Sequence, residues 1–156
     1  IGTINTDETT HSISDEVLDR AFVMTLSDVD FSSFWTSYDP RAKELLQEEW
    51  QVLLELHEML QPYDLHFGYR TMNEMLQKLY KNKILPKDLQ FVEKEALDRV
   101  ISEKVLPKIR GDERVESLLE SLEQLFKMFG DYSISSSHIM RMRKELERYG
   151  ATQFWR

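Results

Sequence analysis

From Asp39 onward, apolar side chains recur at intervals of three and four, the spacing that places them on one face of an α-helix. Asp39-Pro40 is a helix start, an N-cap followed by proline at the first helical position. Leu46, Trp50, Leu53, His57 and Leu60 then share a face, and Pro62 closes the element. A second helix is expected over Tyr69–Tyr80 with Met72, Met75, Leu76 and Leu79 inward. A third is expected to begin at Asp88 and to carry Leu89, Val92, Ala96 and Val100 on one side, with Pro107 and Gly111 breaking it. Asp112 opens a fourth, burying Val115, Leu118, Leu119, Leu122, Leu125, Phe126 and Phe129, with Gly130 in the position of a C′ residue. The serines at 133, 135, 136 and 137 are expected to precede a last helix whose Ile139, Met142, Leu146 and Tyr149 repeat at three or four. Gly150 ends it, and an aromatic tail, Ala-Thr-Gln-Phe-Trp-Arg, remains.

The first thirty residues follow a different pattern. Ile1–Asn5 and Phe22–Leu26 read as short β-prone runs, and Ser12 and Ser14 offer N-caps for a helix around Asp15–Arg20. Two strands do not make a stable sheet alone, so this piece needs partners outside itself. A chain that opens Ile-Gly-Thr-Ile-Asn, without Met, is expected to be a fragment of a longer protein. The expected fold is therefore mainly α, a helical bundle over 31–156, preceded over 1–30 by a strand–helix–strand remnant of an α/β core.

Composition narrows the function. The 156 residues hold 20 basic and 28 acidic side chains, a net charge of −8, which disfavours generic binding to phosphate backbones and anionic lipids. With no cysteine, disulfides, thiolate metal sites and cysteine nucleophiles are excluded, and a cytoplasmic location is expected. No apolar run is long enough to span a bilayer, so no membrane partner is expected. The five glycines form no phosphate loop, no dinucleotide-binding turn and no nucleophile elbow. His57-Glu58-Met59-Leu60-Gln61 starts like a zinc-protease helix, but Gln61 stands where the second histidine ligand would be. His57 reads as a packed core histidine, and no metal site is expected. Acidic pairs such as Glu48-Glu49 read as solvated helix faces.

Four stretches carry a further signal. Ile4-Asn5-Thr6-Asp7 ends a strand and is followed by a helix closing Leu18-Asp19-Arg20. Phe67-Gly68-Tyr69-Arg70 opens a helix. Lys104-Val-Leu-Pro-Lys-Ile-Arg-Gly111 is a compact run, and the chain closes Gly150-Ala-Thr-Gln-Phe-Trp155. In this order they resemble the C-terminal part of an AAA+ NTPase of the McrB-like branch, associated with modification-dependent DNA restriction. The resemblance implies that Asn5 is the sensor 1 residue, holding the attacking water or terminal phosphate. It implies that Arg20 is an arginine finger stabilising charge on a neighbouring subunit's nucleotide. Arg70 would be a sensor 2 residue at the start of the lid, and Asp7 would hold the loop or the metal's water shell. Ala21-Phe22 follows Arg20 where many relatives carry a further Arg, so a paired finger is not expected.

On this reading the parent binds ATP or GTP with Mg2+. It works in a ring, expected to be a hexamer, drives or activates a partner nuclease, and reaches DNA through other domains. The 156 residues alone hold no phosphate loop and no metal-binding Asp-Glu strand and are expected to be inactive, with no cofactor of their own. The alternative is a stand-alone acidic helical module that binds a protein through aromatics such as Phe154 and Trp155. Residues 1–26 discriminate: disordered or paired with another copy they are a severed piece of the core, whereas packed natively on the bundle they favour the module. A third class, DNA binding by the last helix through Arg141, Arg143, Lys144, Arg148 and Arg156, ranks below a solvated basic face or a contact to a neighbouring subunit.

Overall fold

The structure is a computed structural model, and it describes residues 13–22, 24, 29–130 and 132–155. Among these it is mainly helical, with one two-stranded antiparallel sheet. The helices are α1 (Asp15–Leu18), α2 (Phe31–Thr36), α3 (Pro40–Leu45), α4 (Gln47–Leu60), α5 (Tyr69–Ile84), α6 (Glu93–Lys104), α7 (Glu116–Phe129) and α8 (Ser133–Tyr149). The strands are β1 (Arg110–Asp112) and β2 (Ala151–Gln153), with Arg110 opposite Gln153, Gly111 opposite Thr152 and Asp112 opposite Ala151. The expected strand Ile1–Asn5 lies outside the described residues, and Phe22–Leu26 lies largely outside them.

Helical periodicity located the core. Leu46, Trp50, Leu53, His57 and Leu60 are all buried, as are Met72, Met75, Leu76 and Leu79 of α5. Leu118, Leu119, Leu122, Leu125 and Phe126 turn inward from α7, and Ile139, Met142 and Leu146 from α8. Helix α6 packs between α5 and α8, α7 lies along α8, and α4 packs on α5 and α7. Asp39 accepts from the N–H groups of Arg41 and Ala42, the cap that Asp39-Pro40 implied.

The element expected to run unbroken from Pro40 is two helices. Leu46 leaves the helical region at φ −117°, ψ 19°, yet it keeps its N–H bond to the Ala42 carbonyl and accepts from Trp50 N–H. Its side chain stays in the core, so the spacing does not register the break. Helix α2 was not expected. Its Phe31 is buried against His57 and Trp50, and Trp35 stacks on Trp50 at 4.3 Å between centroids.

The third helix begins at Glu93 rather than at Asp88, and Leu89 and Val92 are exposed instead of inward. Residues 85–92 are held by amide side chains. Asn82 receives the Phe91 N–H at 2.9 Å and donates to the Phe91 carbonyl at 3.0 Å. Gln90 donates to the carbonyls of Lys83 and Leu85 at the end of α5. The serines at 133, 135, 136 and 137 lie inside α8 rather than before it, and Tyr149 is exposed. The cap of α8 comes from another helix: the buried carboxylate of Asp98, on α6, accepts from the N–H groups of Ile134 and Ser135, both at 2.8 Å. A negative group here also meets the positive end of the helix dipole.

Candidate functional site

Arg20 lies just beyond α1 and pairs with Glu16 at 3.1 Å, the two side chains 78% and 76% exposed. Every side chain from Ser14 to Phe22 is exposed, and so is Met24. Val17, Leu18, Phe22 and Met24 therefore present exposed apolar surface, uncovered by the described residues. Arg70 sits in the first turn of α5, exposed, one turn before Glu74, whose carboxyl is held below its ordinary range first by the Lys104 ammonium and then by Arg70. Asn5 and Asp7 lie outside the described residues. The structure thus describes Arg20 and Arg70 on separate elements, and neither lines the cleft described below.

Two of the stretches singled out in the sequence do meet. Leu106 and Ile109, from the Lys104–Gly111 run, are buried, and the run ends in β1. The closing Gly150–Trp155 run forms β2, and Phe154 donates its N–H to the Ile109 carbonyl. Gly150 makes this return possible. It ends α8 at φ 71°, a left-handed conformation costly for a residue with a side chain. Gly111 is needed for a different reason: a Cβ there would lie 2.8 Å from Val115 Cγ1.

Arg141 fastens this ribbon to α8. Its guanidinium holds both Glu145 oxygens at 2.8 Å and donates to the Phe154 carbonyl at 2.7 Å. Thr152, buried in β2, donates its hydroxyl to Glu145 at 3.2 Å. Phe154 tucks against the core and stacks on His138, while Trp155 stays 66% exposed. The closing aromatics thus divide, one inward and one outward.

Between α8 and the ribbon runs an open cleft of about 1230 Å³. One wall is a single helix face, Ser137, Met140, Arg141, Lys144, Arg148 and Tyr149; the other is Arg110, Gly111, Arg114 and β2, with Trp155 at the rim. Five cationic side chains and one carboxylate line it, and that carboxylate, Glu145, is already held by Arg141. Arg114 bonds Asp112 at 2.8 Å, which keeps the Asp112 carboxyl below its usual range and raises the Arg114 guanidinium further. Arg143, expected on a basic face with its neighbours, instead pairs with Glu123 and Glu120 of α7 and lines no part of the cleft. Arg110 and Arg114 were not singled out by the sequence. Arg110 lies in the Lys104–Gly111 run and Arg114 just after it, and both come opposite a helix about 30 residues later only once the ribbon has formed.

His57 is buried, with Nδ1 at 3.0 Å from the Phe67 carbonyl, and its pKa is lowered first by burial and then by His66. That is a packed histidine donating to backbone. No group of three or more acidic or histidine side chains suited to a metal ion occurs among the described residues. No helix among them is long and apolar enough to cross a membrane.

A family model described as Domain of unknown function (DUF8727) matches residues 14–152. The chain belongs to the DUF8727 family. Within the DUF8727 match lie Arg20, Arg70, the whole bundle and nearly all of the cleft; Asn5 and Asp7 lie before it and Trp155 just after it. No curated protein and no solved structure matches the chain.

Proposed function

We propose that this chain is the sensor-and-lid part of an AAA+ NTPase subunit of the McrB-like kind, with the DUF8727 bundle as its lid. The observation that carries this reading is the exposed apolar surface of Val17, Leu18, Phe22 and Met24, with Phe22 fully open to solvent. Apolar side chains crowded into one short segment lose free energy unless something buries them, and an α/β core would supply that cover. Arg20 closes the helix of that segment and is tied down only by an exposed ion pair, which costs little to break. It is free to reach a nucleotide on a neighbouring subunit, where a positive charge offsets the charge that develops on the transferred phosphoryl group.

On this reading Asn5 positions water or the terminal phosphate, and Asp7 supports the loop or the metal's water shell. Arg70 links lid angle to nucleotide state. ATP or GTP with Mg2+ binds to residues upstream of these. Copies assemble in a ring, expected to be a hexamer, that acts on DNA through other domains and drives or activates a partner nuclease in the cytoplasm.

The test uses the complete polypeptide encoded by the reading frame. Arg20→Ala is expected to lower ATP or GTP hydrolysis by about a thousandfold, in line with other arginine fingers, while nucleotide binding persists. Because the finger acts in trans, mixing this variant with subunits that cannot bind nucleotide should restore part of the activity. A complete polypeptide that hydrolyses neither nucleotide, or an Arg20→Ala variant with unchanged turnover, overturns the reading. A non-catalytic helical interaction module would then be the function.

A further inference from the structure

The cleft between α8 and the ribbon departs from the chain's overall charge. A protein of net charge −8 gathers five cations there around one neutralised carboxylate. They come from two stretches about 30 residues apart, so no short basic run in the sequence accounts for them. Arg141 is committed to the ribbon, and Arg110, Arg114, Lys144 and Arg148 line the two sides of the cleft as a track, Arg114 while also bonding the partly exposed Asp112.

Aromatic faces accompany the charges. Trp155 and Tyr149 are 66% and 69% exposed and both border the cleft. The Arg148 guanidinium sits 5.4 Å from the Tyr149 ring centroid, a cation–π arrangement. Trp155 meets Phe154 edge-on at 5.0 Å between centroids, and both the indole and the phenol keep most of their surface open beside the cations. Their flat faces match unpaired bases.

We propose that this cleft binds single-stranded nucleic acid, with phosphates along Arg110, Arg114, Lys144 and Arg148 and bases stacked on Trp155 and Tyr149. The helix wall from Ser137 to Arg148 is about 17 Å long at 1.5 Å per residue. At one phosphate per roughly 3.4 Å of stacked strand, that admits about five nucleotides. A duplex would present the same phosphates but keep its bases stacked on one another, away from the two rings. An acidic protein segment would satisfy the cations and leave the rings unused. The net negative charge of the rest of the molecule opposes long-range attraction, so binding is confined to this track and is steeply weakened by salt. This inference does not depend on nucleotide hydrolysis.

Fluorescence anisotropy of labelled oligo-dT and oligo-U of twelve nucleotides, titrated with the 156-residue chain at low salt, tests it. A duplex of equal length and a polyglutamate peptide serve as comparisons. Binding of either single strand is expected with quenching of Trp155 emission and a slope of log affinity against log salt near −3, about 0.7 for each of four contacts. Lys144→Glu with Arg148→Glu should weaken binding at least about tenfold, and Trp155→Ala by about fivefold to a hundredfold, the loss of one stacked base. These side chains are at the surface, and circular dichroism shows whether the fold is kept. Relative affinity for the two oligomers assigns DNA or RNA. No binding at low salt overturns the proposal, as does a Trp155→Ala variant that binds as well as the parent. Tighter binding of duplex overturns it too, and preference for polyglutamate makes an acidic protein the occupant instead.

Discussion

Two ion pairs of the same kind, an arginine and a glutamate four positions apart, stand near opposite ends of the sequence. In Glu16–Arg20 the two side chains are almost wholly in water, and no residue around them is buried. In Arg141–Glu145 they are 23% and 20% exposed, the guanidinium also holds two ribbon carbonyls, and the carboxylate also receives Thr152. The sequence spacing is identical; the surroundings decide what each pair does. Exposed pairs contribute close to nothing and release their members easily, whereas the half-buried one is part of the fold. The same contrast runs through the apolar side chains, which the bundle buries in rows and residues 14–24 leave uncovered. A segment that contributes so little to the chain's own stability is free to act on something else.

The largest test of that contrast lies in the bundle, at Asp98. Its carboxylate is buried and accepts two N–H bonds at the start of α8, where Tyr132 supplies no side-chain cap. Hydrogen bonds to a charged group are each worth about 1.5–3 kcal/mol. Asp98→Ala removes both and leaves one buried and one half-buried donor unpaired, so it is expected to cost about 3 kcal/mol in chemical denaturation. A loss below about 1 kcal/mol would mean that α8 is held by its apolar face alone and that the bundle is less sharply distinct from residues 14–24 than its hydrogen bonds imply.

Asp98 also shows where reading the sequence stopped. The serines at 133, 135, 136 and 137, polar residues of the kind that precede a helix, lie inside α8. The cap is supplied by a residue more than 30 positions away, which no local pattern records. Periodicity found the inward faces of α4, α5, α7 and α8 because burial acts on each helix separately and repeats every turn. It missed the break at Leu46, whose side chain stays on the buried face, and over-extended α6 back to Asp88, since Leu89 and Val92 fit the period but face water. The ribbon was missed because three-residue strands carry almost no alternation to read. The candidate site divides in the same way. Arg141, Lys144 and Arg148 were visible as a basic helix face, but Arg110 and Arg114 join them only through β1–β2 pairing.

The two ion pairs can be compared directly at the next level of effect. Arg141→Ala is expected to cost about 1–2 kcal/mol, because it strips the Phe154 carbonyl and leaves Glu145 half-buried without its partner. Arg20→Ala is expected to change stability by no more than about 0.5 kcal/mol, as for other solvent-exposed surface substitutions. Urea titrations of both variants measure the difference. Equal effects would show that Arg20 is a structural residue, and would weaken the case for a finger aimed at another subunit.

The smallest expected effect separates the regions by pH. His57 and His138 both belong to the bundle, and the pKa of each is lowered chiefly by burial; residues 14–24 hold no histidine. A histidine whose folded pKa lies below its unfolded value of 6.5 binds fewer protons when folded. Stability is therefore unaffected well above pH 6.5 and declines as pH falls through that value, because the unfolded chain takes up the proton first. The carboxylates of Glu74, Asp112 and Glu123 are shifted downward by their cationic partners, so their contribution fades only below about 4.5. Melting temperatures should fall in two stages, the first set by the histidines and the second by the ion pairs. His57→Leu leaves the Phe67 carbonyl without its donor and lowers stability at every pH, but it should flatten the first stage. Adding His138→Gln should remove what remains of it while the second stage persists. A first stage that survives both substitutions would place the titrating group outside the buried histidines, and with it part of the stability now ascribed to the bundle.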